Sequence, residues 1–427
     1  MKGIILILDC SSTSANYIYD IRKEGYTPML MEFVPPNSEI DRNRKLHDFF
    51  YSLNGDTTPE IIYGGQDYSE TLRIVKKLKP SLILAGSDRA IEWTSLLSND
   101  LNLPGTSPRH LLYMRNKYFM QQVLKNAGIR YIKSALATSY REALDFYLSH
   151  EEKPIVIKPL QGTATIGVCI CSNEKEIKDA VNYNKSLKRI GHVDETGTFL
   201  LQEYIEGVEF VVNTISCARR HIVTSAMKYD KIQIEGRGKI YNYVQSVSPT
   251  SDELKPIVDY IINVLDAIPV TIGPTHSEIM VDNYGPVLIE VNCRPCGGLM
   301  RRSWLEKFLG HHETDIYLKA YLHPENFNLL PNVFEPISNG LIKPIIVPHD
   351  IYAKHNNLYH ICSQLESFDY EFDMGGERLY EKTIDFSTNG GFVYLCHNDK
   401  NVIIKDCLFL HHVEMSTPEL IFENDSC

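Results

Sequence analysis

The 427-residue sequence lacks the features that mark several specialised classes of protein. No apolar run approaches the roughly 18 residues of a membrane-spanning helix, so we expect no membrane segment. Neither Gly (25 residues) nor Pro (21 residues) is in excess, which excludes a collagen-like or low-complexity chain. Basic residues are also few: 43 Lys and Arg against 54 Asp and Glu give a net charge of −11, so we expect no nucleic-acid partner.

Paired cysteines are scarce as well. The ten cysteines are scattered, and Cys293 with Cys296 forms the only C-x-x-C, which argues against a zinc ribbon and a secreted disulfide framework. The apolar run in residues 1–9 is too short for a signal peptide, and the basic region that precedes such a run in signal peptides is missing. We therefore expect a cytoplasmic protein.

The remaining composition is that of an ordinary globular protein, with 43% hydrophobic and 23% charged residues. The length suits two to four domains of about 100 to 200 residues each. Residues 1–105 alternate predicted strands and helices, which is typical of a parallel sheet with right-handed crossovers. The strands are expected at residues 3–9, 27–34, 60–63 and 81–86.

A second predicted region spans residues 106–330. After the break at Leu103-Pro104-Gly105, a helix is expected over 108–127, with Lys117 one turn before an apolar stripe that begins at Met120. From about residue 130 an α+β pattern follows. Strands are expected at 155–158, 168–171, 198–204 and 210–216, and helices after Asn173 and over 250–268.

Residues 331–427 are expected to form a β-rich C-terminal subdomain, with short strands at 342–347, 391–396 and 402–404. The fold class predicted for the whole chain is therefore α/β and α+β multidomain.

A loop containing glycine and threonine, residues 159–167, follows the predicted strand 155–158. Glycines let backbone N–H groups approach an anion, Thr163 and Thr165 add hydroxyl donors, and Lys158 at the strand end supplies a positive charge for phosphate. The spacing differs from a Walker loop, because the lysine precedes the loop. A purely structural turn is the alternative interpretation of this segment.

Residues 202–209, with the sequence QEYIEGVE, end a strand in a glycine turn flanked by three carboxylates. Such a turn can offer backbone groups to an adenine edge and a carboxylate to ribose hydroxyls. On its own the segment also fits a solvated acidic turn.

The most informative pattern is a predicted hairpin over 273–294 whose turn centres on Tyr284. This register places Glu278 opposite Glu290 and His276 opposite Asn292. Period-two alternation puts these four side chains on one face with Arg294. The opposite face, directed toward the core, is expected to carry Val287, Ile289 and Val291.

Two carboxylates that face each other across a hairpin repel, so a cation is expected between Glu278 and Glu290. Together with the amide oxygen of Asn292 they form a hard-ligand set. Such a set suits Mg²⁺, with Mn²⁺ as the alternative ion, shared with substrate phosphates. An exposed face with a different register is the other interpretation of this pattern.

Together, these segments resemble the ATP-grasp superfamily of carboxylate-amine ligases over most of residues 1–300. The five segments that carry the resemblance, in the family's order, are LNLPG, NKYFMQQVLKNAGI, IVIKP, LLQEYIEGVEF and HSEIMVDNYGPVLIEVNCRPCGG. The resemblance implies ATP-grasp architecture with an N-terminal Rossmann-like (pre-ATP-grasp) domain at 1–105 and a nucleotide-binding and catalytic region at 106–330.

The resemblance also implies a role for each candidate site residue. The residues implied in ATP binding are Lys117 and Lys158 at the phosphates, Thr163 and Thr165 over phosphate, Gln202, Glu203, Tyr204 and Ile205 around adenine, and Glu209 at the ribose. Those implied in magnesium binding are Glu278, Glu290 and Asn292.

Two residues are implied in catalysis. Arg294 is similar to the arginine that stabilises the acyl phosphate or tetrahedral intermediate in L-amino acid ligases of the bacilysin-synthase type. His276 stands where D-alanine ligases have a catalytic arginine, which argues against that subfamily.

The implied activity joins a carboxylate and an amine, expected to be amino acids as in dipeptide synthesis, with release of ADP and phosphate. A purine-pathway or carboxylase-type ATP-grasp enzyme, a phosphotransferase and a non-catalytic ATP-binding regulator are the alternatives. The sequence leaves a homodimer open. His311, His312 and Glu313 lack a partner cluster at metal spacing and are interpreted as core or surface residues.

Overall fold

The computed structural model describes residues 2–33, 58–65, 67–150, 154–160, 167–187, 197–233, 239–372, 377–384 and 388–423. Its first unit is a four-stranded parallel sheet, as predicted for residues 1–105. The spatial order of its strands is Glu60–Tyr63, Thr27–Glu32, Ile4–Leu8 and Leu82–Ala85.

Helices cover both faces of this parallel sheet, which explains why its central strand is a continuous apolar run. Ile5 and Ile7 lie in one hydrophobic cluster, whereas Leu6 and Leu8 lie in another. In the described part of this unit the helices are Tyr17–Lys23, Tyr68–Leu78 and Ile91–Asp100, with short 3-10 segments at Ser12–Asn16 and Asp88–Ala90.

The single helix predicted over 108–127 is wrong, because the chain forms two helices, Pro108–Arg115 and Lys117–Asn126. Asn116 between them is extended, and its side-chain oxygen accepts hydrogen bonds from the backbone N–H groups of Tyr118 and Phe119. This N-cap ends one helix and begins the next. Lys117 is therefore the first residue of a helix.

A four-stranded antiparallel sheet follows, with its strands in the spatial order Ser134–Ala137, Phe199–Glu203, Ile155–Pro159 and Cys169–Cys171. Helices Tyr140–Ser149 and Glu174–Leu187 pack on it. The predicted capping pair is confirmed: the side chain of Asn173 accepts from the backbone of Glu176, which in turn accepts from the backbone of Ser172.

The largest sheet has eight antiparallel strands. In spatial order they are Gly285–Asn292, Ile272–Asp282, Val208–Cys217, Arg220–Gln233, Lys239–Ser246, Asn339–Pro344, Phe392–His397 and Phe368–Phe372. Helix Lys255–Ala267 packs on one face in a cluster that contains Phe210 and Val212. Helices Arg302–Leu309 and Glu313–Leu322 pack on the other face.

Residues after 330 extend this eight-stranded sheet. The predicted strand at 402–404 is wrong, because these residues lie inside helix Lys400–Ser416, which begins after the N-cap Asp399. The short apolar run there belongs to a helical face on which Ile403 is buried. The remaining elements are helix Leu358–Cys362, 3-10 segments Pro324–Leu329 and Pro418–Leu420, and the strand pairs Ile351–Ala353 with Arg378–Tyr380 and His355–Asn356 with Phe422–Glu423.

Across the described part of the chain, no helix has both the length and the apolar character that a bilayer crossing requires.

Candidate active site

The hairpin of strands Ile272–Asp282 and Gly285–Asn292 has the register predicted for its polar end: His276 pairs with Asn292, and Glu278 with Glu290. Between these pairs and the turn the register shifts by one residue, because Ile289 is an extra residue on its strand. The prediction that the side chain of Ile289 points toward the core is therefore wrong.

The bulge at Ile289 changes which residues of this strand reach the core. Leu288 and Val291 pack in the main hydrophobic cluster, whereas Ile289 is half-buried. An extra residue reverses the alternation of side chains on its strand, and this reversal carries Leu288 inward.

Glu290 is the electrostatic centre of the site. The ammonium group of Lys117 lies 2.5 Å from its Oε2, and the amide of Asn292 donates to its Oε1 over 2.7 Å. Burial opposes ionisation, but Lys117, Asn292 and the charge of Lys158 lower the pKa of Glu290 to about 2. Glu290 is therefore an ionised carboxylate at neutral pH.

Lys158 is 7% exposed at the end of strand Ile155–Pro159. Burial and the positive charge of Lys117 lower its pKa to about 8, opposed by Glu290, Glu278 and Glu209. The structure thus brings both predicted phosphate-binding lysines beside the predicted metal-binding carboxylates. Thr163 and Thr165 lie outside the described residues.

The segment predicted to contact adenine begins at the end of strand Phe199–Glu203. Gln202 donates to the hydroxyl of Ser134 over 3.0 Å, and Glu203 accepts from the backbone of Lys133 over 2.8 Å. Both side chains are buried, whereas Tyr204 and Ile205 are half-buried. The side chain of Glu203 therefore holds the neighbouring strand, and adenine binding stays a prediction for this segment.

Glu209, predicted to bind ribose, is buried and forms an ion pair with Lys231. Burial raises the pKa of Glu209, and Lys231 opposes this rise. Lys231 also lies over the ring of Tyr241, 4.5 Å from its centroid. The sequence interpretation did not identify Lys231. Two lysines within one strand, at 228 and 231, are a pattern that could have indicated a charged partner for Glu209.

His276 lies on the same side of the hairpin as Glu278, with 3.7 Å between its Nε2 and a carboxylate oxygen. Its Nδ1 lies 2.8 Å from the side-chain oxygen of Asn213. Burial disfavours the charged ring, but Cys296 and Glu278 raise the pKa of His276 to about 10.

Arg294 forms a half-buried bidentate ion pair with Asp88, in which both N···O distances are 2.9 Å. Its third nitrogen donates to the carbonyl of Pro295 over 2.8 Å. Asp88 follows strand Leu82–Ala85 at the carboxyl edge of the parallel sheet, where α/β sheets commonly bind ligands. The sequence interpretation did not identify Asp88.

A further titratable cluster lies away from the hairpin and consists of Asp20, His312 and Asp315. His312 pairs with Asp20 at 2.6 Å and with Glu306 at 2.8 Å, while Asp315 pairs with Lys319 at 2.7 Å. The expectation that His312 lacks a partner cluster is thus wrong. Because each of these groups already has an oppositely charged partner, the cluster is a network that joins helices.

The donor set on the hairpin fits a hard divalent cation. Glu278 and Glu290 face each other across two strands, and the amide nitrogen of Asn292 points to Glu290, which leaves its side-chain oxygen as a donor. Oxygen donors of this kind suit Mg²⁺. In this structure the ammonium of Lys117 balances the charge of Glu290.

Comparisons with known proteins identify the family of this chain. A family model described as an ATP-grasp domain matches residues 151–302. Dapdiamide A synthase of Enterobacter agglomerans is 30% identical over 332 residues, which span 76% of this chain and 75% of that protein.

Two solved structures share the fold. L-amino acid ligase from Bacillus licheniformis has a TM-score of 0.75 at 17% identity, with 96% of this chain and 97% of that chain covered. N5-carboxyaminoimidazole synthetase from Staphylococcus aureus, complexed with ADP, has a TM-score of 0.68 at 13% identity, with 97% and 98% covered.

The chain belongs to the ATP-grasp ligases, enzymes that use ATP to form carbon–nitrogen bonds. The predicted fold class, with ATP-grasp architecture after a Rossmann-like parallel sheet, is confirmed.

Proposed function

We propose that this protein joins the carboxylate of one amino acid to the amine of another through an acyl phosphate, with release of ADP and phosphate. The observation that carries the proposal is the group of opposed charges on one face of the hairpin. There Glu278 and Glu290 face each other beside Lys117 and Lys158. Phosphoryl transfer needs such positioned charges rather than a protein nucleophile.

ATP binds, in this proposal, with its phosphates at Lys117 and Lys158. The loop that carries Thr163 and Thr165 covers the phosphates, and the segment from Gln202 to Ile205 lines the adenine pocket. Support for a phosphate contact comes from Lys158, a buried cation that lies close enough to Lys117 for the two positive charges to affect each other. Glu209 accepts hydrogen bonds from the ribose hydroxyls, and Lys231 holds it in place.

Glu278, Glu290 and Asn292 would hold Mg²⁺, or Mn²⁺ in its place. The ion, when bound, neutralises charge on the phosphate oxygens during transfer. Lys117 contacts Glu290 directly, so this lysine can turn to the phosphates once the cation balances that carboxylate.

Arg294 and His276 act on the amino acid substrates. The planar donors of Arg294 suit the negative oxygen that develops as the amine attacks the acyl phosphate, and Asp88 fixes their plane. His276 presents Nε2 to the same face as Glu278. The printed names of dapdiamide A synthase and L-amino acid ligase support amino acids as the substrate class.

The test is phosphate release from ATP measured across a matrix of amino acids, offered singly and in pairs, with products identified by mass spectrometry. We expect a subset of pairs to give an amide with equal amounts of ADP and phosphate. A stable phosphoester would instead identify a phosphotransferase, and ATP binding without turnover in every pair would exclude amino acids as the substrates.

A further inference from the structure

A row of polar side chains crosses four neighbouring strands of the eight-stranded sheet. Asn292, His276, Asn213 and Ser225 occupy consecutive cross-strand positions in this row. Side chains at such positions are close enough to bond. His276 Nδ1 lies 2.8 Å from Asn213 Oδ1, and the Asn213 amide nitrogen lies 2.9 Å from the Ser225 hydroxyl.

The row ends at Glu313, the first residue of helix Glu313–Leu322. Ser225 donates to its Oε1 over 2.6 Å and Thr224 donates to the same oxygen over 2.8 Å. The register of this strand shifts between Val223 and Ser225. This bulge explains how two consecutive hydroxyls reach one carboxylate.

Burial of the Glu313 side chain at this position is energetically unfavourable. It is 1% exposed, and within the described ranges it forms no ion pair with Lys or Arg. Its contacts are the hydroxyls of Thr224 and Ser225. A buried carboxylate held by hydroxyls alone contributes little to stability, which points to a role in function.

Glu313 Oε1 accepts from both hydroxyls, and this sets the direction of every hydrogen bond in the row. Ser225 has one hydroxyl proton and gives it to Glu313, so its oxygen must accept from the amide nitrogen of Asn213. The oxygen of Asn213 then faces His276, so Nδ1 of His276 must carry a hydrogen. This conclusion holds for the neutral and for the charged imidazole ring.

We propose that Glu313 is a positioning residue. Through Ser225 and Asn213 it holds the ring of His276 with hydrogen on Nδ1, so that Nε2, on the side of Glu278, is the nitrogen that contacts substrate. The significance of this arrangement rests on the proposed function, because it assigns His276 to the amide-forming site. The hydrogen-bond direction itself does not depend on that function.

The test is ¹⁵N NMR of histidine-labelled protein, with the His276 signals assigned by their loss in His276→Gln. In the wild type we expect hydrogen on Nδ1. Glu313→Gln can donate as well as accept, so the row can reverse, and Nδ1 then loses its hydrogen while Nε2 keeps one. The same variant should lose about ten- to a hundredfold in kcat for amide formation, with the KM for ATP unchanged.

Two further variants separate positioning from general damage to the sheet. Thr275 and Thr214 form another buried hydroxyl pair between the strands of His276 and Asn213, so Thr275→Val is the matched control. Thr275→Val should lower the stability of the protein and leave the His276 signals and kcat unchanged. Glu313→Asp keeps an acceptor-only group and should recover the wild-type pattern in part.

A wild-type Nδ1 without hydrogen would overturn the proposal, and so would a Glu313→Gln variant with unchanged His276 signals. If the signals behave as expected but no amino acid pair yields an amide, the proposed function fails while the positioning network stands.

Discussion

At the residue scale, the site is a balance of charges that neutralise one another in pairs. Lys117 with Glu290, Lys231 with Glu209 and Arg294 with Asp88 are each in direct contact. Lys158 forms no such pair with the residues that the structure describes; it is buried among charged groups, and its pKa is lowered to about 8. A cation in this position is available to a ligand that brings negative charge.

Replacing Lys158 with alanine should weaken ATP binding. A charge-assisted hydrogen bond contributes about 1.5 to 3 kcal/mol, so the Kd for ATP should rise roughly ten- to a hundredfold. Isothermal titration calorimetry measures this directly. Lys185→Ala, an exposed lysine on helix Glu174–Leu187, is the control and should leave the Kd unchanged. Equal affinity in a folded Lys158→Ala protein would remove Lys158 from the nucleotide site.

Glu278→Gln should distinguish a metal-binding role of Glu278 from a structural role. Glu278 faces Glu290, so removing its charge relieves repulsion in the protein without metal, and the melting temperature should stay level or rise. Turnover should fall by about a hundredfold or more, since a ligand of the charge-stabilising ion is lost. Activity titrated with Mg²⁺ and thermal unfolding give the two readouts. A large fall in melting temperature with normal turnover would make the pair structural.

At the element scale, the sequence allowed the hairpin register to be predicted but not its bulge. The pairing of the two strands near His276 follows from the sequence, because charged residues stand at 278 and 290 and apolar residues stand between them. The turn has two residues, one fewer than a hairpin centred on Tyr284 would have, and the extra Ile289 shifts the pairing back by one residue. The register at His276 is therefore the same as in a regular hairpin with a three-residue turn. Local alternation cannot distinguish these two arrangements.

The helix break at Asn116 was equally hidden, because a helix-compatible pattern continues through it. Its effect can be tested: Asn116→Ala removes the acceptor for two backbone N–H groups and should lower the free energy of unfolding by about 1 kcal/mol. Denaturant unfolding measures the change. Asn116→Asp keeps the acceptor and should be close to wild type. No loss in the alanine variant would show that the cap is dispensable.

At the scale of the whole molecule, the parallel-sheet unit and the eight-stranded sheet meet through long-range polar contacts. Asp88 binds Arg294, and Thr13 and Asn16 bond the backbone of the loop at Gly297 and Met300. These partners are more than 200 residues apart in sequence, which is why single-sequence patterns identified Arg294 but not the group that fixes it.

His312 provides another such contact, with Asp20 of helix Tyr17–Lys23. Burial disfavours its charged form, but the hydrogen bond and charge of Asp20 raise the pKa of His312 above 6.5. Stability from the charged pair is thus fully present below pH 6.5 and is lost as pH rises through the raised pKa. His312→Gln should cost about 1.5 to 3 kcal/mol at pH 6 and less at pH 9.

Urea unfolding of wild type and variant at several pH values measures this difference. His360→Gln, at an exposed histidine, should show no such trend. A cost for His312→Gln that grows with pH would contradict a stabilising charged pair.

The most direct test of the central claim is an isotope experiment. An amino acid substrate with ¹⁸O in its carboxylate is converted with ATP and a second amino acid, and the phosphorus products are analysed by mass spectrometry. An acyl phosphate places one ¹⁸O atom in inorganic phosphate, with ADP as the other product, and Arg294→Ala should slow this transfer on the order of 10² to 10³-fold. If ¹⁸O appears in AMP with pyrophosphate instead, the carboxylate is adenylated and the proposed mechanism is wrong.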